Sequence, residues 1–233
     1  MERVGELVAD ARRQHPDDDF FAGFEDRLFD SASMRGWYQR YEQAFASLPL
    51  AEWVCLRTKA LEHFTDHRPG QRKQGFFFQL NEAFAYEYLV GQGYGDVRFV
   101  QECIARRTAD LSYLALRRSC HCEVKSVGIS DQEIARRSGD RASARPYATL
   151  GRGVLWKIES AIRDGRDQLA ASGTSGLVYI DVMPDDFTRT HDKTFCVQLV
   201  HALKSAGCED VVLRLATADI TIRSDSSIDE DSR

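Results

Sequence analysis

The sequence predicts an α/β protein in which helices flank a mixed β-sheet and a helical subdomain precedes the sheet. Three observations support this fold class. From residue 75 onward, apolar periodicity predicts the order helix, three strands, helix, strand, helix, strand. Leu177 to Met183 is a nearly continuous apolar run, which is typical of a central strand covered on both faces. Aromatic and aliphatic residues recur at helical spacing through the first 70 residues.

The N-terminal subdomain, residues 1–70, is predicted to consist of helices. Asp19 is suited to cap one of them, and Arg68-Pro69-Gly70 ends the last. This region offers a surface for substrate contact, dimerisation or support of the second domain. The four predicted helical stretches are Gly5 to Arg13, Phe20 to Phe29, Trp37 to Leu48 and Trp53 to Phe64.

The second domain is predicted to span residues 71–223. Short links between its first three strands indicate an antiparallel arrangement. An acidic, serine-rich tail, residues 224–233, is expected to be disordered. The predicted helices are 75–90, 154–171 and 194–205, and the strands are 96–103, 107–116, 119–127, 177–183 and 211–216, the last with a continuation towards Ile222 left open.

Composition indicates a soluble, cytoplasmic protein. Of 233 residues, 43% are hydrophobic and 29% are charged, and no apolar run is long enough to cross a bilayer. The N-terminus lacks the apolar core of a signal peptide. The six cysteines have no disulfide-scaffold spacing, so reduced, buried thiols are expected.

Charge is unevenly distributed along the chain. The net charge is −5, yet the stretch from Arg98 to Lys157 holds twelve basic and six acidic residues. A local basic patch of this kind can bind phosphate backbones, and an ordinary solvated surface is the alternative. Within it, the polar segment 130–145 is either a lid or DNA-contacting loop or a plain surface insertion. The nucleic-acid-binding candidates are Arg136, Arg137, Arg141, Arg145 and Arg152.

The candidate site lies on the second and third predicted strands. Strand alternation places His121, Glu123 and Lys125 on one face, and it places Cys120, Cys122 and Val124 on the other. Asp110, on the neighbouring strand, can join the first face. Two carboxylates and an amine in this arrangement can bind a divalent cation and position a water for attack on a phosphodiester.

Ala109-Asp110 followed by Glu123-Val124-Lys125, in this strand context, resembles the motif of the PD-(D/E)XK nuclease superfamily, with alanine in place of the motif's proline. The resemblance covers residues 75–216 and implies a restriction-endonuclease-like α-βββ-α-β core. It implies that Asp110, Glu123 and the Val124 carbonyl bind Mg²⁺, with Mn²⁺ as a substitute. Lys125 would then position or activate the attacking water.

The resemblance also implies a glutamate from the first helix. Glu82 is the first choice and Glu87 the second, although either could be an ordinary solvated helix acid. Gln168, in the helix after the motif, occupies a place where some members carry a site glutamine, but Ser172 replaces the tyrosine that accompanies it. His121 could contact phosphate, or it could simply pack at the sheet edge.

The predicted function is therefore a metal-dependent deoxyribonuclease acting in restriction, phage defence or repair. RNA is left open as a substrate, and so are a homodimer and a recruiting protein partner. The main alternative is a non-catalytic nucleic-acid-binding or interaction module that keeps the fold. A separate alternative for Glu123 and Lys125 is a cross-strand salt bridge on a solvated face. Two weaker hypotheses are a zinc site at Cys120, His121 and Cys122, and a metal pair at His63 and His67.

Overall fold

The computed structural model describes residues 1–67, 72–101, 108–128, 152–182, 192–205, 207–215 and 220–223. The chain divides into two compact units, Met1–Phe99 and Val100–Arg233. The boundary predicted at residue 70 lies inside the first unit. The predicted tail and four of the five candidate nucleic-acid-binding arginines, Arg136, Arg137, Arg141 and Arg145, lie outside the described residues.

The first unit is helical, as predicted, and it ends in a short strand. Its core is built largely from aromatic rings, of which Phe45, Trp53 and Phe76 are almost fully buried. The elements are α1 (Glu2–Gln14), α2 (Phe24–Asp30), α3 (Ala32–Ala46), α4 (Leu50–Glu62), α5 (Gln74–Leu80), α6 (Glu82–Gly91) and β1 (Gly95–Phe99).

Two helix predictions in this unit were wrong in detail. Asp19 does not cap α2, which begins only after Gly23, a residue with a φ of 60°. The single helix expected over residues 75–90 is two helices separated at Asn81. The Asn81 carbonyl accepts a hydrogen bond from the Phe84 amide at 3.1 Å, and its side-chain oxygen accepts one from the Tyr41 hydroxyl at 2.6 Å. Apolar periodicity does not detect this tertiary hydrogen bond.

The second unit contains the mixed sheet that the sequence predicts. Five of its strands lie in chain order, with β2/β3 and β5/β6 antiparallel and β3/β4 and β4/β5 parallel. The possible extension of the last strand is instead a separate antiparallel strand. The elements are β2 (Leu111–Ala115), β3 (Arg118–Val127), α7 (Arg152–Ala171), β4 (Gly176–Val182), α8 (Asp192–Ser205), β5 (Val211–Leu215) and β6 (Ile220–Arg223).

Strand β4 is central, as its apolar sequence predicts, and its last five residues are buried. Apolar residues of α7 and α8 form one core cluster with β4 and β5, including Ile162, Leu199 and Val178. The register pairs Glu123 with Val178 and Lys125 with Ile180, so these residues share the face of the sheet that α7 covers. This packing brings α7 against the candidate site.

The close approach of α7 to β4 depends on Gly165. A Cβ atom at this position would lie 2.7 Å from Cγ1 of Val178, whereas one at Gly153, in the same helix, would meet nothing within 4 Å. We expect Gly165→Ala to lower the free energy of unfolding by about 1–3 kcal/mol through overpacking. Gly153→Ala should be neutral or stabilise by up to about 1 kcal/mol. Urea unfolding of both variants measures the difference, and equal stabilities would contradict this packing.

Candidate active site

Asp110 lies immediately before β2, not within a strand as predicted. It follows the buried Ala109, and its carbonyl accepts a hydrogen bond from the Val100 amide at 2.9 Å. Its carboxylate Oδ2 accepts a hydrogen bond from the Val124 amide of β3 at 2.8 Å. The Asp110 side chain is therefore fixed against the strand that carries Glu123 and Lys125.

The antiparallel register sets the two acids opposite each other. Leu111 pairs with Cys122, so continuing the register by one position places Asp110 across from Glu123. Directly opposite residues share a face and have Cβ atoms about 4.5–5.5 Å apart. The β2–β3 hairpin thus brings together two carboxylates that are 13 positions apart in the chain.

Lys125 and Glu123 form a close ion pair. The Lys125 Nζ lies 2.7 Å from Glu123 Oε1, and the side chains are 26% and 2% exposed respectively. The salt bridge proposed as the alternative is therefore present, but its acid is buried and not on a solvated face. Burying a carboxylate carries a large desolvation cost unless a cation and hydrogen bonds compensate.

Gln168 connects the ion pair to the rest of the unit. Its Oε1 accepts a hydrogen bond from Lys125 Nζ at 3.3 Å, and its Nε2 donates to the Thr108 carbonyl at 2.8 Å. Gln168 therefore links α7, β3 and the segment that leads into Asp110. The structure brings together Asp110, Glu123, Lys125 and Gln168, of which Gln168 was predicted as a possible site residue only.

The donor set fits a hard divalent cation. Asp110, Glu123 and the Val124 carbonyl offer oxygen ligands, the kind that Mg²⁺ prefers, and Mg²⁺ sites commonly use only one or two carboxylates and fill the remaining positions with water and phosphate oxygens. In the described part of the chain, no cluster of three or more His, Cys, Asp or Glu side chains could hold a metal by itself. A metal bound here would therefore take its remaining ligands from substrate and water.

Glu82 and Glu87 belong to the first unit and have different environments. Glu82 opens α6, is 4% exposed, and lies 2.7 Å from Lys59 Nζ through its Oε1. Glu87 is exposed on the same helix. The ion pair with Lys59 gives Glu82 a structural role within its own unit, and its role in a site remains a prediction.

The other histidine and cysteine candidates have local explanations. Cys122 is fully buried, while His121 and Cys120 are partly exposed on opposite faces of β3. Helix α4 ends at Glu62, so His63 and His67 do not share a helical face. His63 contacts Asp66 at 2.6 Å and His67 contacts the Thr65 carbonyl at 2.8 Å, each within its own loop.

Arg152 is the one nucleic-acid candidate within the described residues, and it is exposed at the start of α7. Its contact with nucleic acid remains a prediction. Across the same part of the chain, no helix is both long and apolar enough to cross a membrane.

A buried ion pair in the sheet was missed from the sequence. Arg214 Nη1 of β5 lies 2.7 Å from Asp181 Oδ1 of β4, and the two residues are 4% and 1% exposed. The signal was present, because each charged residue interrupts an otherwise apolar strand. Such residues require a partner when they are buried.

A second ion pair fastens α7 to the turn before β5. Arg166 donates to Asp210 with an Nε–Oδ2 distance of 2.9 Å, and this hydrogen bond lowers the pKa of Asp210 below its ordinary value of 3.8. A depressed carboxylate pKa stabilises the folded state above the unfolded-state pKa, and that contribution is lost as the pH falls through the folded-state pKa.

We therefore expect Asp210→Asn to flatten the acid side of the pH–stability curve below about pH 4. The loss at neutral pH should be at most about 1 kcal/mol, because both side chains are 37% exposed. Urea unfolding from pH 3 to pH 7 measures this. An unchanged acid dependence in the variant would contradict the assignment.

Comparison with known proteins found no matching family model, no matching curated protein and no matching solved structure. The assignment of a function to this site therefore depends on its residues and geometry.

Proposed function

We propose that the chain is a metal-dependent nuclease that hydrolyses phosphodiester bonds in DNA. The observation that carries the proposal is the juxtaposition of Asp110, Glu123 and Lys125 on one hairpin, with Lys125 Nζ 2.7 Å from Glu123 Oε1. Two carboxylates and an amine at one point can hold a cation beside a phosphate and stabilise the charge that develops on it.

The residues have separate roles in this proposal. Asp110, Glu123 and the Val124 carbonyl would hold Mg²⁺, which would neutralise phosphate charge and lower the pKa of a bound water. Lys125 presents an ammonium group that can orient the attacking water and stabilise the negative charge that develops on the phosphate oxygens. Its side chain is 26% exposed, so it remains accessible to substrate.

Gln168 acts in this proposal as a positioning residue. Because its amide oxygen accepts a hydrogen bond from Lys125 and its nitrogen donates to Thr108, it restricts the directions that the ammonium group can take. Supporting contacts of this kind hold a reacting group within the narrow range that catalysis requires.

The test is cleavage of supercoiled plasmid and of single-stranded DNA with Mg²⁺ or Mn²⁺ and with EDTA. Metal-dependent nicking or shortening of either substrate supports the proposal. RNA is the third substrate in the series, because the site geometry does not distinguish the sugars. No cleavage of any substrate, with intact folding, would overturn the nuclease assignment.

The second candidate is a binding module without catalysis. The pairing of Lys125 with Glu123 favours it, because a buried carboxylate whose charge is balanced by a neighbouring cation can be purely structural. Binding of nucleic acid that is equal with Mg²⁺ and with EDTA, without cleavage, is the result that this candidate predicts.

A further inference from the structure

The turn that joins β2 and β3 has an unfavourable backbone for its sequence. Ala115 pairs with Arg118, so the turn consists of Leu116 and Arg117, whose φ angles are 49° and 67°. Two positive φ angles define a type I′ turn, for which Asn-Gly is the preferred sequence. Leucine and arginine rarely adopt this conformation, because Cβ lies too close to the backbone carbonyl oxygen.

In the described structure, side-chain contacts of this turn do not compensate for its unfavourable backbone conformation. Leu116 is 98% exposed, and Arg117 and Arg118 are also exposed. A large apolar side chain in this position gains almost no burial from folding. Residues whose backbone conformation is unfavourable for their type, and whose side chains make few contacts, are typical of contact sites for a partner.

The turn has a fixed relation to the candidate active site. Residues Ala115 to Arg118, named here the hairpin tip, are continuous with the strand that carries Glu123. Arg118 and Glu123 are five positions apart along the strand, a distance of about 17 Å. The paired β2–β3 ladder runs from Ala115 and Arg118 to Leu111 and Cys122, immediately before the two acids, so the tip and the acids lie on one continuous hairpin.

We propose that the hairpin tip is a contact site for duplex DNA. This inference depends on the nuclease function proposed above. Arg117 and Arg118 carry the charge that complements phosphates, and Leu116 between β2 and Arg117 is an apolar group of the size that contacts base edges in a groove. The major groove, about 12 Å wide, admits a two-stranded β-ribbon. The separation of about 17 Å between Arg118 and Glu123 corresponds to about five base pairs along the axis of the duplex.

The decisive variant is Leu116→Asn combined with Arg117→Gly, which installs the preferred turn sequence. We expect its Tm to rise by about 2–4 °C, because the new residues fit the backbone. We expect its affinity for a 20-base-pair duplex, measured by fluorescence anisotropy in EDTA, to fall by about tenfold. If the tip had only a structural role, this variant would gain stability without losing affinity for duplex DNA.

Two further variants separate charge from shape. Arg117→Gln alone should reduce the slope of log affinity against log salt by about one, the value for one lost phosphate contact. The matched control combines Val197→Asn and Arg163→Gln, which remove an exposed apolar side chain and an exposed arginine from α8 and α7. The control should retain the duplex affinity of the wild type to within about twofold.

The outcomes are distinguishable from those of the nuclease proposal. If the wild type binds and cleaves DNA and the tip variant does so equally well, the tip inference is overturned and the nuclease proposal stands. If the wild type cleaves only single strands and has no affinity for duplex, the tip inference also fails. Binding to anionic vesicles that the tip variant loses, without any DNA affinity, would reassign the tip to a membrane surface and remove support for both proposals.

Discussion

Replacing Lys125 or Asp110 with alanine is expected to lower the metal-dependent cleavage rate by about 10²–10⁴-fold in each case. Lys125→Ala removes the ammonium group to which we assign the positioning of the attacking water and the stabilisation of phosphate charge. Asp110→Ala removes one of the two carboxylates and the hydrogen bond that its Oδ2 accepts from the Val124 amide. Initial rates of plasmid nicking at saturating Mg²⁺ measure both losses.

The two substitutions should be distinguishable from each other. Because Asp110 is assigned to the metal, its loss should raise the Mg²⁺ concentration needed for half-maximal rate. Lys125→Ala should lower the maximal rate with less effect on that concentration. Arg163→Ala, an exposed change on the helix that carries Gln168, is the control and should leave both quantities unchanged. Full activity in Lys125→Ala protein would show that the site lies elsewhere or that a contaminating nuclease is being measured.

Arg214→Leu is expected to be the most destabilising of the changes considered, with a loss of about 3–5 kcal/mol in the free energy of unfolding. The substitution removes the guanidinium that lies 2.7 Å from Asp181, a carboxylate that is only 1% exposed. The remaining charge would be desolvated between two strands of the core. Urea unfolding followed by circular dichroism measures the loss.

The double variant Asp181→Leu with Arg214→Leu supplies the control for this ion pair. Replacing both charged partners by apolar residues is often neutral or stabilising, so most of the lost stability should return. The difference in free energy of unfolding between the single and the double variant measures the cost of leaving Asp181 without its partner. If Arg214→Leu costs less than about 1 kcal/mol, the two charges are not held in a dry environment.

Sequence patterns predicted the features of this chain that depend on local periodicity. Alternation along residues 121–125 correctly put Glu123 and Lys125 on one face, because side chains alternate in any strand. The apolar run of β4 correctly indicated a central position, because only a strand covered on both faces lacks a polar side. Asp110 was expected to join this face from the neighbouring strand; it lies opposite Glu123, but immediately before β2 and not within a strand.

Features that depend on contacts between distant residues could not be predicted in this way. The hydrogen bond from Tyr41 to Asn81 at the break between α5 and α6 joins residues 40 positions apart. The position of Gln168 against Lys125 requires α7 to pack in one particular rotation over β3. The Asp181–Arg214 pair required a strand register that neither strand specifies alone.

The β2–β3 hairpin has a consequence for the order in which the site forms during folding. Asp110 and Glu123 lie on two strands joined by a two-residue turn, so closing this hairpin costs little entropy, and hairpins form in about 1–10 μs. Gln168 is 43 positions from Lys125, and its contact must wait until α7 docks on the parallel strands. A chain in which only the hairpin has formed would already carry both carboxylates, while the direction of the lysine would be fixed only when α7 docks.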